Sequence, residues 1–363
     1  MESRPPERYR ITSITCGRDH TLALLHNGKV FGWGGDGSGS IASPNAEYCS
    51  TAKGSPGAVA LSTQHRLLSI AAGYGISLGI TDENRLVVWG ANAAGIGGRR
   101  ESVSPATPQL LADLSDICAI AASEFSCGAV DIFGKLHTWG LNYEGALGRA
   151  TSQLNALPGV VVSLPPIQRI AIGKGYMLAL AREGRLYGWG SNAAGQLGMA
   201  HLRAVALPQL LPSNEYFRCV AAGVTHALAV TRNGKVLAWG SNHHGQLGRT
   251  NPAYSSLPLP VELPERTRSV AAGMHFSLAL GESGSVYAWG WNAKGQLASG
   301  DTEDAYLPIH IPALEHVQSI AAGETHAAAL TAHGLFGWGN NAEGQIGGAN
   351  RQQLFPSCFI SLA

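Results

Sequence analysis

Val220-Ala-Ala-Gly-Val-Thr-His226 opens a stretch that continues through an apolar run to Val230, a turn at Asn233-Gly234-Lys235, the segment Val236-Leu-Ala-Trp239-Gly240 and the loop Asn242-His-His-Gly-Gln-Leu-Gly248. Each piece reads as a short strand or a tight turn, and Asn-Gly between two apolar runs is a strong hairpin signal. The same unit recurs along the chain. Its Trp-Gly pair returns at Trp33, Trp89, Trp139, Trp189, Trp239, Trp289 and Trp338, at spacings of 56, 50, 50, 50, 50 and 49 residues. An apolar strand opener stands 19 residues before each Trp, at Ile14, Ile70, Ile120, Ile170, Val220 and Val270, and 18 before the last, at Ile320. A register this constant marks a repeat architecture.

Three strands per copy follow from the pattern. A fourth is expected after each loop, where a Pro opens a short apolar run, as in Pro208-Gln-Leu-Leu211, Pro258-Leu-Pro-Val261 and Pro308-Ile-His-Ile311. Pro tolerates an edge strand, so this piece belongs at the rim. Seven antiparallel four-stranded units cover their faces only by packing radially, which predicts an all-β, seven-bladed β-propeller. The small Ala-Ala-Gly residues suit the innermost strand, and the Trp supplies bulk between blades. The propeller is expected to occupy residues 11–363, behind a short N-terminal extension of residues 1–10. One long Gly/Ser-rich excursion, beginning at Gly34-Gly-Asp-Gly-Ser-Gly-Ser40, interrupts the first copy before Ile70.

The combination Ala-Ala-Gly-x-x-His, Gly-x-Val-Tyr-x-Trp-Gly and Asn-x-x-Gly-Gln-Leu-Gly resembles the repeat of the regulator of chromosome condensation family, from about Ile11 to the C-terminus. The resemblance implies a seven-bladed propeller, as the spacing does. It further implies a protein partner, in particular a small GTPase, and guanine nucleotide exchange assisted by His residues of the Gly-x-x-His turns and an Asp before one of them. Position by position, His226 and His326 match. The third copy, where the family carries Gly-x-Asp-His, here reads Ser123-Glu-Phe-Ser126, and the only Asp-His pair is Asp19-His20 in the first. The alternative is a non-catalytic scaffold or inhibitor presenting rim loops. The plant ultraviolet-B photoreceptor branch of the family clusters extra Trp on one face; with eight Trp, seven of them in the repeat, this chain is not expected to share that function.

Composition narrows the other classes. The net charge is +1, and no Lys/Arg run exceeds Arg99-Arg100, so nucleic acid is not an expected partner. Six Cys without a C-x-x-C pair read as reduced core residues. No signal peptide or membrane-spanning run is visible, so a cytoplasmic monomer without membrane contact is expected. Metalloprotease, phosphate-loop and nucleophile-elbow motifs are missing, and no cofactor or covalent chemistry is expected. His243-His244 reads as a solvated loop rather than a metal pair.

In an up-and-down meander the His-bearing turns and the Gln-Leu-Gly loops fall on one face, and the Asn-Gly hairpins on the other. The hairpin face carries Lys29, Arg85, Lys135, Arg185 and Lys235, a solubilising series. The opposite face varies from copy to copy and is the expected partner surface. Its candidate contacts are Arg18, Asp19, His20, Tyr74, His226, His243, His244, Trp291, Glu324 and His326, with the three turn His forming an arc at the channel mouth and Trp291 as an exposed anchor.

Overall fold

The computed structural model describes residues 10–35, 37–41, 66–92, 95–99, 107–151, 153–348 and 350–362. Its strands form seven antiparallel sheets, each from one contiguous stretch of chain; six have four strands, and the first has three among the described residues. The fifth blade is representative: Phe217–Ala222 lies innermost, followed outward by His226–Thr231, Val236–Ser241 and Tyr254–Val261. The all-β, seven-bladed propeller is the fold that the spacing predicted. Most of the excursion after Gly34 and nearly all of the 1–10 extension lie outside the described residues. No described helix is long and apolar enough to cross a membrane.

The inner strands begin three residues before the expected openers in the first six blades, at Ile11, Leu67, Ile117, Ile167, Phe217 and Thr267. A bulge after the first residue of each shifts the register, and this hides the strand start from a strict alternation. The outer strands also start earlier than expected. Pro208 lies inside Val205–Leu210, where pairing with the third strand skips between Gly188 and Gly190, so a residue without an N–H sits at a broken ladder on the edge.

Second strands are buried along their whole length, and the Trp of the third strand lies between blades. Six Trp are inaccessible to solvent, and Trp33 is nearly so. Each of the six donates its indole N–H to a carbonyl in the preceding blade's loop: Ser40, Ile96, Ala146, Gln196, Gln246 and Gln296, all within 2.8–2.9 Å. The Asn-x-x-Gly-Gln-Leu-Gly loop is therefore an inter-blade acceptor. Its own side chains hold it rigid: Asn242 Oδ1 accepts from Leu247 N, Asn242 Nδ2 donates to the Arg249 and Pro252 carbonyls, and Gln246 Oε1 accepts from His244 N.

The ring closes by face-to-face packing of the first and seventh blades. Ile11, Ile14 and Leu25 meet Ala328, Leu330 and Ile360, and Trp33 lies edge-on to Phe359 at 5.1 Å. Among the Cys, Cys16 and Cys127 are buried, but Cys118 and Cys358 are exposed, against the expectation of a core role; Cys118 is the bulged residue of its strand, and both thiols donate to backbone carbonyls.

Candidate functional site

The turns that follow the innermost strands of all seven blades, Ala-Ala-Gly in four of them, converge on the axis and line a cavity of about 180 Å³. The residue after each turn's central Gly or Ser rims it: Arg18, Tyr74, Glu124, Lys174, Val224, Met274 and Glu324. Backbone bonds stitch this rim together at five turns, as the N–H of Arg18, Tyr74, Val224, Met274 and Glu324 donates to a carbonyl of the next blade. The scaffold under the rim is thus nearly seven-fold. Its side chains are not. Arg18 Nε lies 3.5 Å from Glu324 and its guanidinium 4.4 Å above the Tyr74 ring, and Lys174 Nζ lies 3.1 Å from Glu124. Tyr74 is hydrogen-bonded to Glu324; burial, then that carboxylate, pushes the phenol up to about 12. Burial likewise raises the Glu324 carboxyl and that of Asp19. A charged, hydrogen-bonded arc from blade 7 through blade 4 meets an apolar gap at Val224 and Met274.

The expected His arc is corrected by the structure. His20, His226 and His326 are completely buried, so none can touch a partner directly. Each points sideways into the next blade: His20 Nε2 meets Ser77 Oγ at 3.1 Å, His226 Nε2 meets Ser277 Oγ at 3.0 Å, and His326 Nε2 meets Thr21 Oγ1 at 2.9 Å across the ring closure. Ser77 and Ser277 spend their single hydrogens on the Ser40 and Gln246 carbonyls, so His20 and His226 must donate from Nε2, leaving Nδ1 bare. Burial holds these imidazoles neutral, His20 down to about 4 and His226 and His326 to about 3.

The Gly three residues earlier is explained by the same geometry. A Cβ at Gly223 would stand 2.3 Å from His226 Cε1, and one at Gly173 only 2.0 Å from the Tyr176 ring. Tyr176 fills the His position in blade 4, its single hydroxyl hydrogen shared between the Gly223 and His226 carbonyls. In blade 3 the ring is replaced by the small Ser126, and there Ser123 can replace Gly.

The remaining expected residues lie on one face. Arg18 is exposed, and Asp19, Tyr74 and Glu324 are partly buried at the rim. His243 is exposed. His244 Nδ1 lies 2.8 Å from Asp304 Oδ2, and its ring stacks on His275 at 5.5 Å. Trp291 is partly buried rather than exposed, because its indole packs against His244 and His275. Burial, then the neighbouring His244 and His243, brings His275 down to about 4. Among the described residues no group of three or more His, Cys, Asp or Glu side chains is placed to hold a metal ion. Sequence reasoning passed over Glu124, Val224, Met274 and His275 as site residues. Comparing the residue that follows Gly17, Gly73, Ser123 and their equivalents across the seven copies would have assembled the rim.

The fold and rim define a class: a repeat propeller whose regular frame carries an irregular axial surface. The chain belongs to the RCC1-like family, whose domain model matches residues 98–361, while the regulator of chromosome condensation (RCC1) repeat matches residues 11–40 and 68–96. It is similar to the human probable E3 ubiquitin-protein ligase HERC6, 31% identical over 29% of this chain and 10% of that protein. The Saccharomyces cerevisiae guanine nucleotide exchange factor SRM1 is 30% identical over 35% of this chain and 29% of that protein. The matched stretches thus span less than a third of these relatives' own lengths. The crystal structure of Prp20p from Saccharomyces cerevisiae, whose binding properties to Gsp1p and histones were described with it, shares the fold: TM-score 0.79, 22% identity, 99% of this chain and 90% of that one.

Proposed function

We propose that this chain is a protein-binding propeller that engages a small GTPase through the channel-mouth face, with guanine nucleotide exchange as its activity. The observation that carries the reading is the broken symmetry of the rim: a linked charged arc, Glu324–Arg18–Tyr74 and Glu124–Lys174, beside an apolar gap, on a rigid seven-fold frame. A specific partner can be read only by a surface that departs from the repeat. The hairpin face is plainer, with Lys29, Lys135 and Lys235 exposed at equivalent turns. Relatives support the choice of partner, since SRM1 is an exchange factor by name and Prp20p was studied for binding to Gsp1p. Exchange would need no covalent chemistry. The propeller would hold the nucleotide-free GTPase more tightly than the loaded one, a difference in binding free energy between two states.

A second reading, a non-catalytic scaffold, is favoured by one observation: the His of the Gly-x-x-His turns are buried between blades and unavailable to assist nucleotide release. Release of a fluorescent GDP analogue from a panel of purified small GTPases, with and without the full chain, separates the two. Acceleration of at least tenfold for one GTPase is expected. If every GTPase keeps its basal rate, yet one is retained on the immobilised chain, the scaffold reading replaces exchange; retention of none removes the GTPase partner.

A further inference from the structure

A groove of about 500 Å³ lies on the channel-mouth face over the fourth blade. Phe125, Leu141 and Tyr143 of blade 3 line it on one side and Val224 and Thr225 of blade 5 on the other, with Ala193 and Ala194 of blade 4 between them. Its origin is readable in the repeat. Blade 4 has Gly175, Ala193 and Ala194 where blade 5 has Thr225, His243 and His244. One blade along, the corresponding space is filled, because His244 stacks on His275 there and is held by Asp304. Three small residues thus open at blade 4 what larger ones close at blade 5.

We propose that this groove docks a short segment of a protein partner that inserts one large aromatic or aliphatic side chain with an Asp or Glu beside it. The volume falls in the range of ligand sites, and the walls are apolar and aromatic. Tyr143 is 61% exposed although it borders the groove, so apolar surface there awaits cover. The charge requirement comes from Lys174, the single charged side chain of the lining, which stands exposed at the lip. Its neighbour Glu124, partly buried, is 3.1 Å away, and a carboxylate arriving beside an apolar anchor can share the exposed ammonium with it. A buried anchor ringed by polar contacts is the usual anatomy of a docking hot spot. The inference rests on this face being the protein-binding face, and not on the partner being a GTPase.

Selection of a phage-displayed library of random dodecapeptides on the full chain tests it. Enriched peptides are expected to share an aromatic or large aliphatic residue with Asp or Glu within three positions. As synthetic peptides they should bind at least tenfold more weakly to Ala194→His, which installs the blade 5 residue in a loop that already accommodates it. Lys174→Glu should invert their preference, so that versions with Lys for the acidic residue bind better. Enrichment without that motif, undiminished binding to Ala194→His, or equal binding by indole-3-acetate, which would mark a small-molecule site, each overturns the inference. An unchanged thermal midpoint for Ala194→His shows that its effect is local. No GTPase enters the assay, so its failure leaves the nucleotide-release experiment standing, and the reverse holds too.

Discussion

Gly223 and His226 are expected to be coupled, and a double-mutant cycle measures by how much. Gly223→Ser places a Cβ 2.3 Å from His226 Cε1 and 2.6 Å from the Gly273 carbonyl, an overpacking that costs about 3 kcal/mol. His226→Ser removes the bond to Ser277, about 1 kcal/mol, and leaves a void where the imidazole lay, about 2 kcal/mol more. Independent effects would sum to about 6 kcal/mol. In the double variant the ring clash is gone, as at Ser123 and Ser126, and only the Gly273 carbonyl still opposes the new Cβ. The pair should therefore cost at least about 1.5 kcal/mol less than the sum. Urea unfolding of parent, singles and double, with slopes checked for a single transition, gives the four free energies. Additivity within about 0.5 kcal/mol would refute the claim that the Gly serves the ring.

Three further outcomes follow from the same contacts. Because His20, His226 and His326 titrate below the ordinary 6.5 when folded, the unfolded chain takes up protons first; their contribution is complete above pH 6.5 and falls as pH drops toward about 4 for His20 and about 3 for the other two, by at most about 1.4 kcal/mol per pH unit for each. The raised Glu324 and Asp19 carboxyls act in the opposite sense, so the His term is read as the difference in urea midpoint between parent and His226→Tyr from pH 7 to 4.5; parallel profiles would count against it. Trp189→Ala should cost about 3–5 kcal/mol in urea, since it empties a fully buried site and strips the Ala146 carbonyl of its donor. Arg18→Ala, whose side chain is half exposed, should move stability by less than about 1 kcal/mol, and a larger loss would make the rim network structural.

The blade count and the role of the Trp were legible because a Trp-Gly pair at near-constant spacing admits few architectures. Strand starts were not, since the bulge after Ile11, Leu67 and their equivalents breaks the alternation by which a strand is recognised. The turn His misled because a Gly-x-x-His segment reads as a polar surface turn, whereas burial is decided by a hydroxyl one blade away, at Ser77, Ser277 or Thr21. A clue was present: the same position holds Ile76, Tyr176 and Phe276, residues of a core. The groove over blade 4 depends on how Phe125 and Tyr143 of one blade border the small residues of the next, a relation between repeats that pattern within one repeat does not contain.

Everything proposed for this chain turns on a partner seated at the channel mouth. The most direct test uses the GTPase retained from nucleotide-depleted extract and measures its affinity for two charge-reversed chains. Arg18→Glu with Lys174→Glu changes the rim, and Lys135→Glu with Lys235→Glu changes exposed positions on the hairpin face. The rim pair is expected to weaken binding at least tenfold, equivalent to about 1.4 kcal/mol, and the hairpin pair to leave it within twofold. Binding lost with the hairpin pair and kept with the rim pair would contradict that placement.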